Sequence, residues 1–363
     1  MLSIIEIEKI VESLPSEDKL LFSRIFDLHT VIGKLRVPDP LVGWIEECFG
    51  SISAVQEQKI VKLTNIVTME GSLFNALRAK RPLEMRERSE LAGLIKGSEG
   101  DQFCDPLSRT PEDVFGRIFG KSCITASNVA KYDGFHGMVI FNEHDPLQIT
   151  EEGISDRIDT ALEWAKKAQQ IEGECRNFFL MWNCLWRSGA SIIHGHMQMT
   201  LSSGMHYAKV EALRRASKLY ELTYGSNYFD DLYRIHNRLG LGLEVEEVRI
   251  IAYLTPIKER EVMIFSKALD RSFKKMLYRV LECFIHKMGV ESFNVAIYMP
   301  PIGIEKDQDW VGFPTVARVV DRGDTSNKTC DIGAMELYAS SVISTDPYIV
   351  ASALKSSLSS INP

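Results

Sequence analysis

The ten residues SIIHGHMQMT (191–200) place His194, His196 and Gln198 at alternate positions, with Gly195, Met197 and Met199 in the gaps. In a β-strand, alternate side chains share a face. The spacing therefore predicts a strand that turns two imidazoles and an amide one way and apolar side chains the other. The apolar side suits a core. The polar side is either a wetted strand face or a set of groups aimed at one anion.

The residues just upstream favour the anion. Asn183, Gly189 and Ser191 precede the histidines in the pattern N-x5-G-x-S-x2-H-x-H-x-Q over 183–198. A glycine turn, a hydroxyl and an amide ahead of the strand are the parts of an anion-binding loop.

Farther out, HGMVIFNEHDP (136–146) and NFFLMWN (177–183) read as strands, and TEEGISDRIDTALEWAKKAQQIE between them as an amphipathic helix. EALRRASKLYELTYG is a helix stopped by glycine. The order then recurs: VRIIAYLTP and EVMIFSK as strands, SFKKMLYRVLECFIHKMG as a helix, FNVAIYMPP and TVARVVDR as strands. Strand–helix–strand order met twice predicts an α+β fold of duplicated units with antiparallel sheets and packed helices. The first 65 residues show three- and four-residue apolar spacing and read as helical. The expected division is a helical N-terminal extension (1–70), a catalytic half (71–205) and a second, diverged half (206–363). The extension should bury Leu20, Leu21, Ile25 and Leu28 against the body or another subunit.

The chain has 363 residues, 45% hydrophobic and 25% charged, which is ample for a globular core. Its formal net charge of -7 argues against a broad nucleic-acid surface. No apolar run is long enough to span a membrane. The first stretch, MLSIIEIEKIVESLPSEDK, mixes acids into its apolar residues and does not read as a secretory signal. Seven scattered cysteines without a CxxC fit reduced thiols in a cytoplasm.

The pattern over 183–198 resembles the active-site motif of galactose-1-phosphate uridylyltransferases, the nucleotidyltransferase branch of the histidine-triad superfamily. Its adenylyl relatives include ADP-sugar and diadenosine tetraphosphate phosphorylases. The family commonly has proline where this chain has Gly195. RAKRP (78–82) is similar to the family's early arginine motif, and ASNVAKY (126–132) to a segment with an asparagine near the nucleoside. The resemblance covers 71–363, most closely 71–200, and implies that both halves are histidine-triad-like.

On that resemblance, His194, His196 and Gln198 form the catalytic set. His196 attacks the α-phosphorus of a nucleotide donor and carries the nucleoside monophosphate covalently, which implies ping-pong kinetics. Gln198 stands where hydrolases of the superfamily hold a histidine. An amide cannot give a proton to a leaving group; it can only hydrogen-bond a phosphoryl oxygen. The departing group should therefore be a phosphate, as in transfer between a nucleotide sugar and a sugar 1-phosphate. Ser191 and Gly189 would meet phosphate, Asn183 and Asn128 would hold the nucleotide or its loop, and Arg78 and Arg81 would neutralise phosphate charge. A phosphorylase using inorganic phosphate is the alternative, and a retired nucleotide-binding protein a third. A homodimer is allowed. No cofactor is required. Many family members hold a structural zinc on two cysteines and two histidines. Here Cys104, His144 and His194 match, and the second cysteine falls on Leu107. Asp105 is a weak substitute. Three ligands make zinc possible but not favoured.

Overall fold

The computed structural model describes residues 2–80, 91–303 and 308–358. A four-stranded sheet runs β1 (Phe26–Lys34), β2 (Glu57–Asn65), β3 (Glu70–Phe74), β13 (Ser341–Ile343), antiparallel except for the parallel β3–β13 pair. A nine-stranded antiparallel sheet runs β4 (Cys123–Ser127), β5 (Phe135–Phe141), β7 (His196–Ser203), β6 (Cys175–Cys184), β11 (Phe293–Tyr298), β12 (Thr315–Asp321), β10 (Val262–Ser266), β9 (Val248–Ala252), β8 (Gly242–Val245). This is the expected α+β architecture of duplicated units, with a helix-bearing N-terminal region.

Four helices precede the third strand: α1 (Ile7–Glu12), α2 (Ser16–Ile25), α3 (Val42–Phe49) and α4 (Ile52–Gln56). Short α5 (Leu91–Gly97) and α6 (Pro106–Arg109) precede β4. Then come α7 (Glu151–Ile171), α8 (Ala208–Tyr224), α9 (Tyr228–Arg238), α10 (Arg271–Glu282), α11 (Ala334–Tyr338) and α12 (Pro347–Leu358).

The long α7 begins at Thr150, whose hydroxyl accepts from the Gly153 amide at 3.0 Å, and Glu151 and Glu152 favour its positive end. Ile154, Ile158, Ala161, Trp164, Ala165 and Ala168 bury one stripe of it against β4–β7. Helix α8 stops at Gly225 in the left-handed conformation, as its sequence predicts. Met197 and Met199 of β7 are buried on the α7 side, as their alternation requires.

The helical reading of residues 1–65 holds to Ile25 and again in α3 and α4, and fails at 26–34 and 57–65. Ile25, Leu28 and Ile32 keep helical spacing, yet 26–34 pairs with 57–65 over nine consecutive positions. Cross-strand pairing overrides the local period, and the hairpin leaves Val31 and Ile32 exposed. Leu21 and Ile25 are buried and Leu28 partly so; Leu20 points to solvent. The region packs on the body. Asn65 donates to the hydroxyls of Tyr228 and Tyr253 at 2.8 and 3.0 Å, and the Ser72 hydroxyl donates to the Pro256 carbonyl at 2.8 Å. Among the described residues no helix is long and apolar enough to cross a membrane.

Candidate functional site

Strand β7 is hydrogen-bonded on both sides, to β5 and β6, so its side chains stand at fixed depth and direction. His196 pairs with Ile140 and Gln198 with Met138. Phe103 packs edge-on over the His196 ring, with centroids 5.1 Å apart, and leaves His196 only 6% exposed. Ile124, Ala126, Met138 and Ile140 complete this apolar wall.

The tautomer of His196 follows from its partner. Nδ1 lies 2.8 Å from the His194 carbonyl. A carbonyl only accepts, so Nδ1 carries the proton and Nε2 keeps a bare lone pair. Burial holds this imidazole below its ordinary pKa, in the neutral form.

His194 is committed elsewhere. Its Nε2 donates to the Phe141 carbonyl at 2.8 Å, which leaves Nδ1 bare. His144 donates from Nε2 to the Ile95 carbonyl at 3.0 Å, so its Nδ1 is bare as well. The two bare nitrogens face each other at 3.1 Å. Cys104 Sγ lies 3.4 Å from His144 Nδ1 and 3.5 Å from His194 Nδ1. Asp101 Oδ1 is 3.7 Å from His194 Nδ1, and its Oδ2 is buried without a partner. The ligand atoms of Asp101, Cys104, His144 and His194 all lie within 4.8 Å of one another. Two lone pairs turned on each other beside an orphaned carboxylate oxygen repel unless a cation or a shared proton joins them, and the Cys104 sulfur within reach of both rings adds a soft donor. The donor set fits a tetrahedral zinc. The fourth candidate donor is Asp101, three residues before Cys104. Asp105 instead accepts from the Ser108 hydroxyl, and Leu107 is exposed. The two imidazoles do not converge: His196 lies under Phe103, and His194 turns Nδ1 toward Asp101, Cys104 and His144.

Gly195 sits between them for a steric reason. A Cβ there would lie 2.4 Å from Cδ2 of Phe141. That ring cannot retreat: the Arg157 guanidinium stacks 3.7 Å from its centroid and Trp182 meets it edge-on.

Gln198 Oε1 lies 3.0 Å from His136 Nε2, and Asn128 Nδ2 reaches the same nitrogen at 3.2 Å. His136 escaped the sequence reading. Its only signal was its alternation with Met138 and Ile140 on β5, and the register that sets it beside Gln198 is not written locally. Asn294, on β11, was also missed. It donates to Asn183 Oδ1 at 2.7 Å and to the Ser188 carbonyl at 2.9 Å, tying β6 to the loop. Gly189 closes that loop with φ +98°, where glycine is favoured. Ser191 is exposed just before His194. Arg78 lines a separate cleft of about 820 Å³ with Arg187, Lys258 and Arg322, which none of the β7 residues lines. Arg81 lies outside the described residues.

No family model and no curated protein matches the chain. Solved structures do. An ADP-glucose phosphorylase from Arabidopsis thaliana, with bound ADP-glucose, superposes with a TM-score of 0.60 at 16% identity, covering 80% of this chain and 96% of that one. A GalT-like protein from Arabidopsis thaliana gives 0.60 at 15% identity, covering 80% and 97%. A uridylyltransferase gives 0.57 at 15% identity, covering 84% of this chain and all of the other. The chain has the fold that these uridylyltransferase and phosphorylase structures share.

Proposed function

We propose that the protein is a nucleotidyltransferase that moves a nucleoside monophosphate from a nucleotide sugar to a sugar 1-phosphate through His196. The carrying observation is the 2.8 Å bond from His196 Nδ1 to the His194 carbonyl, which leaves Nε2 unprotonated and fixed in direction. Nε2 attacks the α-phosphorus; an N–P bond forms, the bond to the bridging oxygen breaks, and its electrons leave with the sugar 1-phosphate. A phosphate oxygen of the acceptor then attacks the same phosphorus, and the imidazole returns unchanged. Neither step needs a proton delivered to its leaving group: the first departs as a phosphate whose second pKa is about 6, the second as the neutral imidazole. That suits a site with an amide at Gln198. Phe103 covers the ring and keeps bulk water from the N–P bond.

The fold is shared with a structure named as an ADP-glucose phosphorylase. A phosphorylase reading keeps the same histidine and changes only the acceptor, to inorganic phosphate. Asp101, Cys104, His144 and His194 would hold the zinc. When bound, the metal supplies structural charge neutralisation. His194, clamped in that cluster, sets the carbonyl that orients His196.

The test is incubation with UDP-glucose or ADP-glucose labelled in the α-phosphate, with and without hexose 1-phosphates or phosphate. Wild type should acquire acid-labile label, and His196→Asn should acquire none. Label on neither protein with any donor would overturn the reading in favour of a nucleotide-binding protein.

A further inference from the structure

We propose that His136 is a positioning residue for Gln198: its Nε2 fixes which end of the Gln198 amide faces the site, so that N–H and not oxygen meets the phosphoryl group. This rests on nucleotidyl transfer occurring at His196.

The geometry leaves His136 little else to do. It is 1% exposed, on the same strand face as Gln198 and two positions farther along the β5–β7 ladder. Tyr132 lies against its ring with centroids 4.0 Å apart and donates its own hydroxyl to Met181 Sδ. The backbone carbonyl of His136 accepts from the Asn128 amide and Lys131 Nζ, which holds the 128–136 turn closed around it. Nδ1 is buried with no partner among the described residues. Only Nε2 bonds, and it meets two amides.

One nitrogen cannot serve both amides in one state. Asn128 is oriented by its own Oδ1, which accepts from the Ala130 amide at 3.0 Å, so it shows N–H to the ring. With a proton on Nε2, His136 donates to Gln198 Oε1, and the Gln198 NH2 is turned outward. With the proton on Nδ1, Nε2 faces Gln198 Oε1 lone pair to lone pair at 3.0 Å. The amide must then turn over and show oxygen to the substrate. The Nδ1 proton would also be a buried donor without an acceptor, which folded proteins avoid. The Asn128 N–H pulls the other way, but it is the longer contact, 3.2 Å against 3.0 Å, and gives up its bond to the ring when these two considerations place the proton on Nε2. Burial keeps the ring neutral, so it offers one proton.

The test is a double-mutant cycle read on the rate of covalent labelling from α-labelled nucleotide sugar. Gln198→Ala should slow labelling about 10²-fold. His136→Phe keeps the packing under Tyr132 and should slow it about tenfold, in kcat more than KM. His136→Phe should cost nothing further when Gln198 is already alanine, and His136→Gln, which can still donate, should recover most of the single loss. Nitrogen NMR of histidine-labelled wild type should find the His136 proton on Nε2. Additive losses in the cycle, or a proton on Nδ1, overturn the proposal. Absence of covalent label on wild type overturns instead the underlying transferase reading. If His136→Phe does not fold, the tautomer measured in wild type decides.

Discussion

Strands β7 and β12 hold matching places in the large sheet. Each lies between two antiparallel neighbours, β5 and β6 for the first, β10 and β11 for the second. Their central residues even share one row across the sheet, Gln198–Met181–Ala296–Arg318. Yet they end in opposite states. Around β7, His196 Nε2 has no proton to give and Gln198 has an amide end free to meet a ligand. On β12, Arg318 is paired internally through Nε and Nη1, while its Nη2 is buried without a partner among the described residues. It donates to Glu70 at 2.6 Å and Glu261 at 2.5 Å, beneath the Tyr253 ring. Glu70 comes from β3, so the N-terminal sheet closes over the place that β7, on the proposed function, leaves for chemistry. On that reading the same scaffold serves chemistry where polar groups lack charged partners and cohesion where they are ion-paired.

The sharpest way to break this contrast is to substitute both strands alike. His196→Asn should lower transfer by about 10⁴-fold or more while the melting midpoint stays within a few degrees of wild type. If both fall together, β7 is as structural as β12. Arg318→Met should do the reverse. It strands Glu261 as a buried carboxylate, and the loss should be about 3–5 kcal/mol in denaturant unfolding. Activity per folded molecule should be kept, and the added change Glu261→Leu should recover part of the stability.

Acid should separate the regions next. His236 is fully buried near β9, with Nδ1 donating to the Leu232 carbonyl and Nε2 accepting from the Leu254 amide, and burial holds it down to about 4. Between pH 6.5 and about 4 the unfolded chain binds a proton that the folded chain refuses. Stability should therefore fall as pH drops through this window, by about 3 kcal/mol, and level off below it. His236→Phe should flatten the slope, leaving the share of His206, which burial also holds at about 4. An unchanged slope would remove His236 from the account. The smallest effect belongs to Gly195→Ala. It pushes a methyl into the Phe141 ring and should cost about 1–3 kcal/mol, with a loss of transfer because His194 and His196 flank the shift. Wild-type stability and rate would mean that the ring moves freely.

Much of this was legible in the chain. The two-residue period marked β7, and the capped stripe of α7 marked the helix beneath it. What stayed hidden depends on contacts between distant segments. Residues 26–34 keep a helical period and become strand only because 57–65 pairs with them. Asp101 joins Cys104, His144 and His194 through a loop whose path no spacing rule gives. His136 meets Gln198 across a strand pair whose register is set by the whole sheet. Arg78 was read with the phosphate site, and it lines the cleft that Arg187 also lines.

The parallel pairing of β13 with β3 carries a consequence for how the chain is made. Ser341–Ile343 completes a sheet begun by residues 26–74, and the Ser3 hydroxyl bonds Asp346, 343 positions away. On the ribosome, the N-terminal strands emerge long before their closing partner. Until that partner is synthesised, β3 presents an open edge, the kind of surface that recruits other strands or chaperones. Contacts of such long range also slow the final closure. Nascent chains stalled before residue 341 should therefore be protease-sensitive across 26–74, and release of the last segment should seal the start of the molecule.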